Sequence, residues 1–171
     1  MSGRRKTLLT AVMAASLLLG LTVATASADP PRPLLVNVTM TGDQEVFGSP
    51  TPTCAPPTVC GDPDAVGTAH IVVTPAADRV CFRLKWSGID GSVWGAHIHG
   101  PATTAQAAPI RVPFLMLTPG AADNLGGTDS LAGCVASPDW ADAIVASPGS
   151  FYVNVHSTVY GPGAIRAQLG D

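Results

Sequence analysis

Four histidines occur in this sequence, and two of them stand one residue apart in "VWGAHIHGPA", Val93 to Ala102. Residues two apart on a β-strand share a face, so His97 and His99 point together, while Trp94, Ala96 and Ile98 turn to the core side. A third histidine, His156, closes "FYVNVH" on the face shared with Tyr152 and Asn154. If the two strands are neighbours, three imidazoles gather on one sheet surface or at its rim. Imidazole is a preferred ligand for copper and zinc, and ligands held on rigid strands have little freedom left to lose. His97, His99 and His156 are therefore the candidate metal ligands, with copper or zinc as the ion they would hold. The competing reading is structural: the same rings hydrogen-bond at strand ends and order the "GPA" and "YGPG" turns. His70 shares a face with Thr68 and Val72, has no partner motif, and reads as a surface strand residue.

Other chemistries find little support. No G-x-S-x-G elbow is present, and cysteines held as disulfides offer no thiolate nucleophile. Asp62 and Asp64 in "CGDPDAVG" lack the further oxygen ligands and closing Glu of a calcium loop, and read as a solvated turn. Asp139 and Asp142 suit the start of a helix through its dipole. Arg166, on the outward face of the last strand, is expected to pair with an acid or a backbone carbonyl. No catalytic residue is assigned, and the chain is read as a non-enzyme.

The elements that would position these residues are short strands. Sixteen prolines and eighteen glycines punctuate the chain, and no long helical periodicity is present. Expected strands are Leu34 to Met40, Val66 to Thr74, Arg79 to Ser87, Val93 to Ile98, Ile110 to Met116, Ser130 to Ala136, Ser150 to His156 and Ala164 to Leu169. In "RVCFRLKW", Val80, Phe82, Leu84 and Trp86 alternate with Arg79, Cys81, Arg83 and Lys85, the pattern of a half-buried antiparallel strand. In the last strand, Ile165, Ala167 and Leu169 face inward, with Arg166 and Gln168 outward. "SPDWADAIVAS" predicts one short helix capped by Ser137, with Pro138 at its first position. The fold class is all-β, a single antiparallel sandwich or barrel of about eight short strands with one short helix.

Residues 1–28 have the order of a secretory signal peptide: a basic head at Arg4, Arg5 and Lys6, an apolar run from Leu8, and "ASA" before the cleavage point. Cleavage after Ala28 leaves residues 29–171 as one domain, a size that buries about two-thirds of its unfolded surface. No cysteine follows the apolar run to carry a lipid, and no later segment approaches the ~20 apolar residues of a membrane span. The protein is therefore expected to be secreted, with no membrane insertion after cleavage. The removed head holds three of the nine basic residues and none of the twelve acids, so residues 29–171 carry a formal charge near −6. That excludes the basic stripe needed for nucleic acid. Four cysteines in an exported chain favour two disulfides, although three pairings are open. Cys54–Cys60, closing the Pro-rich loop 51–64, and Cys81–Cys134, tying two strands, are the favoured pairs.

Taken in order, "GTAHIVVTPAADRVCFRLKWSGIDG", "GAHIHGPA", "PIRVPF" and "FYVNVHSTVYGPGAIRAQL" resemble CHRD domains, the type named after chordin and found also in exported microbial proteins. The resemblance runs from about Leu34 to Leu169. It implies an immunoglobulin-like β-sandwich or barrel with no established enzymatic activity. His97, His99, Gly100, Asn154, His156, Ile165 and Arg166 match the family pattern. The loop "TTAQAAP" departs from the family's glycine-rich segment, and Ala167 stands where glycine is usual. The histidine arrangement also looks like that of copper/zinc superoxide dismutases, but no zinc loop or fourth copper ligand is present, so dismutase activity is not expected. Two functions follow as expectations. The first is a secreted, non-catalytic module binding an extracellular protein or cell-envelope component, with the histidine face as its site or anchor. The second is an extracellular copper- or zinc-binding protein.

Overall fold

The structure is a computed structural model that describes residues 31–46, 60–118 and 129–171. The signal segment, Cys54 and most of the 51–64 loop lie outside the described residues. Among the described residues eight strands form one antiparallel sheet: β1 Leu34–Thr41, β2 Val66–Thr74, β3 Arg79–Ser87, β4 Val93–His99, β5 Ile110–Met116, β6 Ser130–Ala136, β7 Tyr152–Ser157 and β8 Ile165–Gln168. The spatial order is β5-β4-β7-β8-β1-β2-β3-β6. The sheet curls into a nearly closed barrel, and Phe82 of β3 stacks on Phe114 of β5, ring centroids 4.0 Å apart, where its two ends approach. Strand limits follow the sequence expectation to within one or two residues, because Pro and Gly clusters stop each apolar alternation.

The interior is filled by the inward residues of that alternation. Met40, Ala69, Ile71, Val73, Val80, Leu84, Ala96, Ile98, Val153, Val155 and Ile165 are all essentially inaccessible and belong to one core. Cys81 and Cys134 are direct partners in the β3–β6 ladder and are joined by a disulfide. Cys60 is also disulfide-bonded; the expected partner, Cys54, falls outside the described residues.

Among the described residues one α-helix, α1, runs over Ala141–Ala146, later than "SPDWADAIVAS" suggests. The Ser137 carbonyl accepts the Ala141 amide at 3.1 Å, but its hydroxyl caps nothing and is buried without a protein partner. Packing selects this shorter helix: Ala141 and Ile144 are buried in the core, and Trp140 lies under the Arg111 guanidinium, 4.2 Å from its ring centroid. Asp62 is a second correction. It is 1% exposed, not solvated, and its two carboxylate oxygens accept the amides of Asp64 at 3.3 Å and Asp90 at 2.7 Å.

Candidate metal centre

The central strands β4, β7 and β8 place the polar residues in cross-strand rows. One row runs His97, Asn154, Arg166 and on to Thr41 of β1; the next runs His99, Tyr152 and Gln168. His156 pairs with Gly95. Alternation sends all these side chains to the side opposite the core. β4 and β7 are adjacent, which the histidine reading required.

This sheet surface is covered. His97, His99 and His156 are 0%, 7% and 6% exposed, and Asn154, Arg166 and Gln168 are likewise buried. Connecting segments cover this face. The segment from Gly100 to Pro109 is held down by Arg166, whose guanidinium donates to the carbonyls of Gln106 and Thr103 at 3.0 Å each and to Gln168 Oε1 at 3.1 Å. Gln168 Nε2 adds a bond to the Ala102 carbonyl at 2.8 Å. The Tyr152 hydroxyl accepts the Ala108 amide at 3.0 Å. Arg166 therefore takes backbone carbonyls, one of its two expected partners, and also lies 3.5 Å from the Tyr152 ring centroid. The covering segments, rather than the imidazoles, form the outer surface over this face.

Trp94 is a further correction. A bulge between Val93 and Gly95 shifts the β4–β7 register, which puts Val93 against the core and turns Trp94 onto the histidine side. Its ring lies 5.1 Å from that of His156 and 6.4 Å from that of His97. Its indole Nε1 donates to the Ser157 carbonyl at 2.9 Å. A bulge inserts one residue and flips the alternation beyond it, which strict period-two reading of "VWGAHIH" cannot register.

The three rings converge. One nitrogen from each lies within 4.8 Å of the others. Three points so spaced share a common point within ~2.8 Å, which is 4.8 Å divided by √3. Metal–imidazole bonds of about 2.0–2.1 Å then need each ring to close by no more than about 0.7 Å. Hydrogen bonding prepares two of the rings. His99 Nδ1 lies 2.8 Å from the Ala108 carbonyl and His156 Nδ1 lies 2.9 Å from the Gly161 carbonyl. A carbonyl only accepts, so both Nδ1 atoms carry the proton and both Nε2 atoms present a bare lone pair. Neither Nε2 has a protein partner, and neither nitrogen of His97 has one. Carbonyl support of the second ring nitrogen is the usual outer-sphere arrangement of metal-bound histidine.

The electrostatics keep these rings neutral, the form that binds a metal. Burial, then His156 and His99, pushes His97 down to about 3. Burial pulls His99 down to about 4 against the Ala108 carbonyl. His156 is lowered by burial and held up by Gly161. Gly95 makes the space for His97: a β-carbon there would sit 3.0 Å from the ring Cε1 and 3.2 Å from Nε2.

Sequence reasoning missed Glu45. It is the only glutamate in the chain, is 3% exposed, and accepts Asn154 Nδ2 at 2.7 Å. Burial pushes its carboxyl up to about 8 despite Arg166, Asn154 and the Val46 backbone, which all favour the charged form. The one available signal was its singularity among acids that are otherwise all aspartates. Tyr152 was also missed; its ring stacks on His99 at 4.8 Å with planes 1° apart. Gly100, matched on the family pattern, accepts Arg111 Nε at 2.6 Å through its carbonyl and so helps tie the covering segment to β5. His70 is exposed and hydrogen-bonds Asn37 through Nδ1, apart from the cluster.

Fold and site together define a small antiparallel β-domain with a covered three-histidine cluster on its outer side. The family model of the CHRD domain matches residues 36–169, and the chain belongs to that family, one that is in general non-enzymatic. No curated protein and no solved structure matches the chain.

Proposed function

We propose that this CHRD-domain protein is exported, non-catalytic, and binds one copper or zinc ion through His97, His99 and His156. The observation that carries the reading is the convergence of three neutral, buried imidazoles, two of them with the outer nitrogen held by a backbone carbonyl. Buried polar atoms without partners cost about 1–3 kcal/mol each, and an ion removes that cost for three nitrogens at once. Export is supported by the Cys81–Cys134 disulfide and by the order of basic, apolar and small residues at the N-terminus. Among the described residues no helix is long and apolar enough to cross a membrane. The test is elemental analysis and titration of the disulfide-intact protein with zinc and copper, beside His156→Ala. One ion per chain, lost in the variant, is the expected result. Binding no greater than in the variant would end the reading.

A further inference from the structure

The same cluster carries information about which ion it holds. Its three donors are uncharged, and no Cys, Asp or Glu joins the group among the described residues. The buried acid that touches this row, Glu45, bonds Asn154, the cross-strand neighbour of His97, and not a histidine, and burial raises its carboxyl to about 8, which weakens it as a counter-charge. Arg166, whose guanidinium packs on the Tyr152 ring that stacks on His99, adds positive charge from the same side. A bound divalent ion would therefore leave two positive charges in a site that is almost wholly sealed from water. The cost of burying an ion grows with the square of its charge, and without a paired anion it reaches several kcal/mol. A monovalent ion lowers that cost about fourfold.

Coordination number points the same way. Zinc in proteins takes four ligands, with water or a substrate in the fourth place when the protein supplies three. Here the covering segments and Trp94 close over the three rings, and cupric copper also favours four or more donors in a tetragonal arrangement. Cuprous copper is a filled-shell ion that three nitrogens satisfy in a plane. The half-buried Trp94 ring beside His156 and His97 covers that side of the cluster with apolar surface in place of a fourth donor.

Building on the metal-binding reading, we propose that the site is selective for Cu(I) over Cu(II) and Zn(II). No electron transfer by the protein is involved; the ion arrives in the cuprous state. The test uses the full-length, disulfide-intact protein under anaerobic conditions. Cu(I), supplied as its acetonitrile complex, is titrated in competition with bicinchoninate. Cu(II) and Zn(II) are titrated in parallel against chelators of known strength. Tryptophan fluorescence provides a second readout, since Trp94 borders the cluster, and Trp94→Phe identifies its share. One Cu(I) per chain, held at least about a hundredfold more tightly than Zn(II) or Cu(II), is expected. Equal or tighter binding of either divalent ion overturns the selectivity and leaves the metal site standing. If none of the three ions binds wild type better than it binds His97→Leu, the metal-binding reading falls with it. A thermal melt of each variant guards against misreading an unfolded protein, and the comparison among ions on wild type needs no variant.

Discussion

His97 is fully buried, and neither of its ring nitrogens has a protein partner. In the metal-free protein this ring is a burden, because an unpaired buried polar group costs about 1–3 kcal/mol. His97→Leu replaces it with an apolar side chain of similar bulk. Imperfect packing of the new side chain costs less than about 1.5 kcal/mol. The metal-free variant should therefore be more stable than metal-free wild type by about 1 kcal/mol, a rise in Tm of roughly 3–5 °C for a domain of this size. With ion at a hundred times its Kd, wild type gains about 2.7 kcal/mol, while the variant gains nothing. The order of stabilities thus inverts between chelator and ion. Far-ultraviolet circular dichroism melts of both proteins, with EDTA and then with copper under ascorbate, read all four states. A metal-free variant destabilised by 2 kcal/mol or more would show that His97 is a structural residue. A metal-induced shift that survives in the variant would show that the ion sits elsewhere.

Three further expectations test the surroundings. Gly95→Ala places a methyl group 3.0 Å from His97 Cε1, so the ring must yield by a few tenths of an ångström; metal affinity should fall about tenfold in competition titrations, with the fold retained. Arg166→Met removes three charge-assisted hydrogen bonds and should cost about 3 kcal/mol or more, with hydrogen exchange accelerated at residues 103–108; unchanged protection there would refute the clamp. The pH dependence of metal-free stability combines two opposite signs. The histidines hold protons less tightly folded than unfolded, so their contribution is present above 6.5 and lost as pH falls toward about 4 and 3. Glu45 holds its proton more tightly when folded, so its contribution is full below 4.5 and lost as pH rises through about 8. Three rings outweigh one carboxyl below pH 6.5, and the carboxyl acts alone above it. Denaturant titrations should therefore show a stability maximum near pH 6.5, and Glu45→Gln should flatten the decline above it. Stability that keeps rising to pH 8 would contradict the assignment of Glu45.

Much of the architecture was legible along the chain. Strands such as "RVCFRLKW" alternate cleanly, because one face meets the core and the other meets solvent or a covering segment. The pairing of Cys81 with Cys134 could be favoured before the fold was known, since each sits within its own strand. The helix start was misplaced because Ser137 and Pro138 carry a local start signal that core packing of Ala141 and Ile144 overrides.

The candidate site divides differently. Alternation alone put His97 and His99 on one face and His156 on the corresponding face of a second strand, since the two-residue period is a property of each strand by itself. Whether those faces meet depends on β4 lying beside β7, a long-range pairing that no local pattern encodes. Burial of the cluster depends on anchors far away in sequence: Arg166 holds Thr103 and Gln106 of the segment that follows β4, and Glu45 binds Asn154. Trp94 reached the histidines only through a bulge, a change of register between two strands and therefore a property of their pairing. The residue types and their faces are local and could be read from the chain, whereas convergence and sealing arise from contacts between distant segments and exist only once the sheet has closed.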